Sequence, residues 1–175
     1  MKCLIQLVFL LFILQSCESG QEQPTIKQPN WDNRKAEVSN WDNFEQGKTY
    51  LPVYSHIYQR YENRTFNLTV TVSIRNTSLS DSIYILKADY FNTNGDNIRQ
   101  YIKAPIYLKP METIELVIEE DDKEGGSGAN FIFDWAAENP KNIPLFEAVM
   151  ISTYGQQGLS FVTRGVPVLS ESEEQ

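Results

Sequence analysis

The 175-residue sequence predicts an all-β domain made of two packed antiparallel sheets. Three observations predict it. From Lys48 to about Leu169, short runs of β-type residues are punctuated by Asn, Asp, Gly and Pro. The clearest run, Phe66 to Arg75, alternates strictly, with Phe66, Leu68, Val70, Val72 and Ile74 on one face. Helical periodicity is absent throughout this stretch. Seven or eight short strands in roughly 120 residues, with no strand–helix alternation, lead to an immunoglobulin-like sandwich, with a small closed β-barrel as the alternative.

The elements follow in order. Residues 1–16, with Lys2 ahead of the apolar stretch Leu4 to Leu14, read as a lipoprotein signal peptide. As a helix that stretch would be about 16 Å long, roughly half a bilayer's hydrocarbon core, too short for a stable span. Leu14-Gln15-Ser16-Cys17 has the form of a bacterial lipobox, which makes Cys17 the expected lipidation site and the new N-terminus. Two or three acyl chains, palmitate among them, make a stable membrane anchor where one chain does not. Ordinary signal cleavage, with Cys17 a bystander, is the competing reading.

Residues 17–46 are rich in Gln, Asn, Glu, Lys and Pro and read as a lipidated N-terminus and polar flexible tether. Within it, Asn30-Trp31-Asp32-Asn33 recurs as Asn40-Trp41-Asp42-Asn43. Two aromatic anchors could serve a docking peptide. A short helix from Arg34 to Trp41, or tryptophans folded back onto the domain, is the reading preferred here.

The domain itself is expected over residues 47–169, followed by an acidic, disordered tail at 170–175. Besides Phe66–Arg75, strands are expected at Ser82–Phe91, Ile98–Ile102, Thr113–Glu119, Asn130–Ala136, Leu145–Tyr154 and Leu159–Val166. Turn chemistry lies between them: Asn92-Thr93-Asn94-Gly95-Asp96, Lys109-Pro110, Gly125 to Gly128, Asn139-Pro140 and Gly155 to Gly158. Trp135, in phase with Phe131 and Phe133, is the expected core tryptophan.

Composition narrows function. Cys3 lies in the signal and Cys17 would carry lipid, so the folded part offers no disulfide, thiolate nucleophile or zinc–cysteine site. Loss of residues 1–16 removes Lys2 and leaves 14 basic against 23 acidic residues, a net charge of −9, which disfavours nucleic acid as a partner. No cofactor is implied.

Read together, "LPVYSHIY" (51–58), "VSIRNTS" (72–78), "PIYLKPMET" (105–113), "GGSGANFIFDW" (125–135), "EAVMI" (147–151) and "GLSFVTRG" (158–165) resemble a bacterial family of envelope lipoproteins, the domain of unknown function 3124. The resemblance spans nearly the whole domain and leaves out the tether. It implies no activity, substrate or catalytic residue.

Four groups of residues are candidate sites. The stretch Tyr50 to Tyr58 places Leu51, Val53 and Ile57 on one face and Tyr50, Tyr54, His56 and Tyr58 on the other, a stripe suited to protein or sugar contact. The competing reading is that these tyrosines cover a sheet edge marked by Pro52. The acidic run before Gly125 could supply calcium ligands in Asp121, Asp122 and Glu124, although it lacks the spaced carboxylates and distal Glu of an EF-hand. A solvated strand end followed by a flexible hairpin loop is preferred. Strand carboxylates Asp89, Asp134 and Glu147 could form an acid–base pair, with Asp134 and Glu147 the catalytic alternative, but arginines at 75, 99 and 164 offer simpler ion pairs. Finally, Asp81-Ser82-Ile83 and the N-x-[ST] sequences at Asn63, Asn67 and Asn76 match short glycosylation signals.

These readings converge on a lipid-anchored protein of the bacterial cell envelope, periplasmic or surface-facing. It would touch the membrane through its lipid and would act by noncovalent binding to an envelope protein or a glycan. A glycan-directed hydrolase is the alternative.

Overall fold

The computed structural model of the protein describes residues 30–38, 40–153 and 158–169. The expected signal peptide, Cys17, the first part of the tether, part of the turn at Gly155 to Gly158 and the acidic tail lie outside the described residues.

Among the described residues, twelve strands form three antiparallel sheets. In chain order they are β1 (Glu45–Pro52), β2 (His56–Gln59), β3 (Tyr61–Asn67), β4 (Thr69–Arg75), β5 (Ile83–Phe91), β6 (Asn97–Ile102), β7 (Ile106–Leu108), β8 (Thr113–Ile118), β9 (Asn130–Ala137), β10 (Leu145–Ser152), β11 (Leu159–Arg164) and β12 (Val166–Pro167). One sheet has the order β12-β1-β9-β5-β6, with β7 also on β5. The second has the order β11-β10-β4-β8, and β2 and β3 make a separate two-stranded ribbon. The two large sheets are a β-sandwich and do not close into a barrel.

The alternation read from the sequence decides which side chains fill the space between the sheets. On β9, Phe131, Phe133 and Trp135 are buried while Ile132 and Asp134 are only half-buried. Phe133 stacks on Phe131 at 5.4 Å and on Phe146 of β10 at 4.6 Å, so the aromatic run crosses from one sheet to the other. Trp135 is the core tryptophan, and its indole N–H donates to Thr49 Oγ1 at 3.1 Å, which satisfies the one polar atom it buries.

The inner pairing is immunoglobulin-like: β4 beside β8 in one sheet and β5 beside β9 in the other correspond to that fold's B–E and C–F pairs. The outer strands are exchanged, with β1 beside β9 and β10 beside β4. Gly165 carries the chain from β11 in one sheet to β12 in the other, where a Cβ would stand 2.6 Å from Thr49 Cγ2.

Two expectations about the strands and their links change. The strand expected at Phe66–Arg75 is two strands, because Leu68 breaks the run and its amide bonds to Ser55 O at 2.9 Å. The Gly125–Gly128 segment is not a hairpin loop. It joins β8 at the edge of one sheet to β9 in the middle of the other.

Residues 30–38 and 40–44, polar in composition, return to the domain. Both Asn-Trp-Asp-Asn repeats make the same local turn, with Asn30 and Asn40 Oδ1 each accepting from the amide two residues on at 2.8 Å. Trp31 packs against the core, Ala36 N–H bonds to Pro105 O at 2.9 Å, and Arg34 pairs with Glu112 at 2.7 Å. Trp41 meets Phe44 and Tyr84 edge-on, each at 5.2 Å. The tryptophans are thus folded back; a 3₁₀ turn at Trp31–Arg34 leads into the segment Arg34 to Trp41, whose described residues after Arg34 form no helix.

Candidate functional site

The tyrosine stripe divides into three environments. Tyr50 lies on β1, on the outer face of its sheet opposite Ile132. Tyr54 falls in the link between β1 and β2, where its ring meets Phe161 edge-on at 5.6 Å and covers the sandwich edge at β11. His56 and Tyr58 lie on the β2–β3 ribbon. Their rings are 6.2 Å apart at 86°, and Tyr58 is 60% exposed.

The ribbon's two faces are distinct. Pairing sets His56 opposite Asn67, Ile57 opposite Phe66 and Tyr58 opposite Thr65. Alternation therefore sends Ile57 and Phe66 one way and His56, Tyr58, Thr65 and Asn67 the other. Ile57 packs against the core, which fixes the second set as the outward face. Ser55, next to His56 in sequence, points the opposite way: it is fully buried and its hydroxyl bonds with Tyr90 Oη at 3.0 Å.

That serine belongs to a lock around the glycine crossover. Its amide donates to Gly126 O at 3.0 Å and the Val53 amide to Ala129 O at 2.9 Å. Thr93 donates its hydroxyl to Gly125 O at 3.0 Å and accepts from the Gly128 amide at 2.9 Å. A Cβ on Gly125 would collide with the Tyr90 hydroxyl, and Gly126 has φ +78°, so glycine is required here for space and for backbone conformation. Burial pushes the Tyr90 phenol up to about 12, the Ser55 bond opposing that shift only in part.

Two carboxylates of the acidic run ahead of the crossover are paired within the protein. Arg99 bonds Asp122 at 2.6 Å and Glu124 at 2.9 Å, and lies over the Tyr90 and Tyr101 rings at 5.9 and 5.6 Å. Burial works against the guanidinium charge, but the bonds to Asp122 and Tyr101 outweigh it and hold the Arg99 pKa above its ordinary value. Of the three calcium candidates, Asp122 and Glu124 are held by this arginine and Asp121 is exposed. A cation already occupies the position an ion would need. Among the described residues no cluster of three His, Cys, Asp or Glu converges as a metal site.

The strand carboxylates are likewise paired. Asp134 lies 3.2 Å from the Lys48 ammonium at an angle that makes an ion pair without a hydrogen bond, and Asp89 lies 3.4 Å from Lys87. Glu147 pairs with Arg75 at 3.4 Å. Asp134 points outward from one sheet and Glu147 outward from the other, so the sandwich separates them and they share no reacting centre.

Asn76 is only 2% exposed, and its amide nitrogen serves the carbonyls of Asp81, Leu108 and Lys109 at 2.8–3.2 Å. That asparagine is a structural bracket and is closed to glycosylation. Asn63 lies exposed on β3 and Asn67 half-buried at its end.

Sequence reasoning passed over Tyr61, 69% exposed, and Arg60, which turns the ribbon with φ +60°. The signal for them was the break in alternation between Tyr58 and Phe66.

An antiparallel β-sandwich with an aromatic two-stranded ribbon, in which the candidate carboxylates Asp89, Asp134 and Glu147 each have a cationic partner, defines the class: an all-β domain with no acid–base pair among those three. The chain belongs to the family described as "Protein of unknown function (DUF3124)", whose model matches residues 46–168. No curated protein matches the chain. Among solved structures, the crystal structure of Thermotoga maritima 1070 is similar at 9% identity, with 69% of this chain and 92% of that chain covered and a TM-score of 0.41.

Proposed function

We propose that this protein is a lipid-anchored binding or accessory module of the bacterial cell envelope. Its signal peptide ends at Ser16, Cys17 carries the lipid, and the domain acts by noncovalent contact with an envelope component, a protein or a glycan. One observation carries the reading: the outward ribbon face presents Tyr58 to solvent with the half-buried His56 ring beside it, while the opposite face is held against the body through Ile57. A tyrosine ring gives large contact area with a polar tip at low entropy cost, which suits recognition. The recess at the β1–β12 corner, lined by Trp135, Ile143, Pro167 and Lys48, is a weaker candidate because Lys48 already pairs with Asp134.

The test is photo-crosslinking in living cells, with the crosslinker placed singly at Tyr58 and, as control, at Lys123 in the crossover. A reproducible adduct from Tyr58 alone is the expected result. The site assignment fails if a folded Tyr54, His56 and Tyr58 triple-alanine variant captures the same component undiminished.

A further inference from the structure

The binding reading leaves the chemistry of the partner open, and the ribbon tip narrows it. Six arginines occur in the chain. Arg34, Arg75 and Arg99 are ion-paired, whereas Arg60, Arg64 and Arg164 make no ion pair among the described residues. Two of those three lie within five residues of one another at the ribbon tip. His56 to Asn67 carries Arg60 and Arg64 against Glu62, a net +1 in a chain of net −8.

Arg60 also occupies a conformation that resists it. Its φ of +60° lies in the left-handed region, where a Cβ is crowded and Gly or Asn is the cheaper residue. The other non-glycine residue with positive φ, Met111, is tied down by its own amide bonding to Ser78 O at 3.0 Å. Among the described residues Arg60 has no bond of that kind to set against the strain. Strain held at an exposed, unpaired cation between two exposed tyrosines points to use of the guanidinium itself.

We infer that the ribbon tip recognises a carboxylate-bearing polysaccharide that runs over its edge, with Arg60 at the turn and exposed Arg64 from the Phe66 side of β3 on the acid groups and Tyr58 and Tyr61 against sugar rings. This rests on the binding reading above. The residue types match that ligand one by one: a guanidinium fork fits a carboxylate in bidentate fashion, an aromatic face fits the C–H face of a pyranose, and Asn63, Thr65 and Asn67 can bond hydroxyls. An anionic bilayer fits less well, because an extended charged surface would face the acidic body as well as the ribbon, whereas a single polysaccharide strand meets only the locally cationic tip.

The experiment titrates the full mature chain, kept in detergent, with oligogalacturonate, with neutral dextran and with phosphatidylglycerol vesicles. Oligogalacturonate is expected to bind, with affinity falling as salt is raised. Replacing Arg60→Gly together with Arg64→Gln is expected to weaken binding roughly tenfold or more. Arg60→Gly alone is expected to weaken binding while keeping or raising the melting temperature, because glycine takes the turn without strain. Those opposite movements distinguish a functional arginine from a structural one.

The inference is overturned if oligogalacturonate does not bind, if dextran or the vesicles bind as tightly, or if the folded double variant binds undiminished. Should oligogalacturonate fail while Tyr58 still crosslinks to a protein, the binding module stands and the polysaccharide assignment falls.

Discussion

The glycine crossover at residues 119–129 and the β2–β3 ribbon at 56–67 both look functional in sequence, one for its acidic run and glycines, the other for its aromatic stripe. In the fold they are opposites. The crossover is tied into the protein by Asp122 and Glu124 on Arg99 and by Thr93 on Gly125 and Gly128, beside the Tyr90–Ser55 bond. The ribbon keeps its own unspent, with Tyr58 and Tyr61 exposed and both of its arginines unpaired among the described residues. Density of charge or glycine in a sequence therefore does not mark a site. What marks it is chemistry that folding leaves without a partner.

That contrast predicts a graded response to mutation. The largest effect belongs to the body: Phe133→Ala opens a cavity between Phe131 and Phe146 and should cost about 4 kcal/mol in denaturant unfolding. Gly125→Ala comes next, since the added methyl meets the Tyr90 hydroxyl and stands 2.7 Å from Ala129 Cβ. It should cost about 2 kcal/mol by the same measurement, and a loss near zero would show that the crossover is not locked.

A smaller effect depends on pH. Burial raises the Glu112 pKa, but the hydrogen bond from the Lys109 amide and the Arg34 ion pair outweigh it, and the net direction is downward from 4.5. A carboxyl whose folded pKa is depressed contributes stability that is complete above its unfolded value and is lost as pH falls through the folded one. Melting temperature should therefore fall more steeply below pH 4.5 in the wild type than in Glu112→Gln. Equal slopes would mean that the docked segment around Arg34 adds nothing through this pair.

The smallest stability change is expected on the ribbon, where Tyr58→Ala should stay within about 0.5 kcal/mol of wild type because its ring is mostly in water. A loss of 2 kcal/mol or more, as in the core, would erase the comparison and recast the ribbon as part of the body.

Much of the sandwich was legible because alternation is a local property. Phe131, Phe133 and Trp135 on one face and Asp134 on the other follow from period two alone, and the observed strand ends match the expected ones within a few residues. The ribbon was less legible. Phe66 continues the alternation of β4 in phase, so nothing local separates a strand of the sandwich from one that leaves it at Leu68. The docked tryptophans were half legible: their repeat was visible, while their landing places at β7 and Tyr84 depend on contacts far away in the chain.

The sequence by itself determined that the domain is all-β, which faces of its strands are apolar, and that no thiol chemistry is available to it. Only the tertiary structure decided that the acidic run closes on Arg99, that Asp134 and Glu147 face away from each other, and that Tyr54 is covered while Tyr58 is free. The physical reason is range. Side-chain alternation and turn conformation are set by near neighbours, whereas pairing of charges and the exposure of one tyrosine over another depend on which distant strands the folded chain brings alongside.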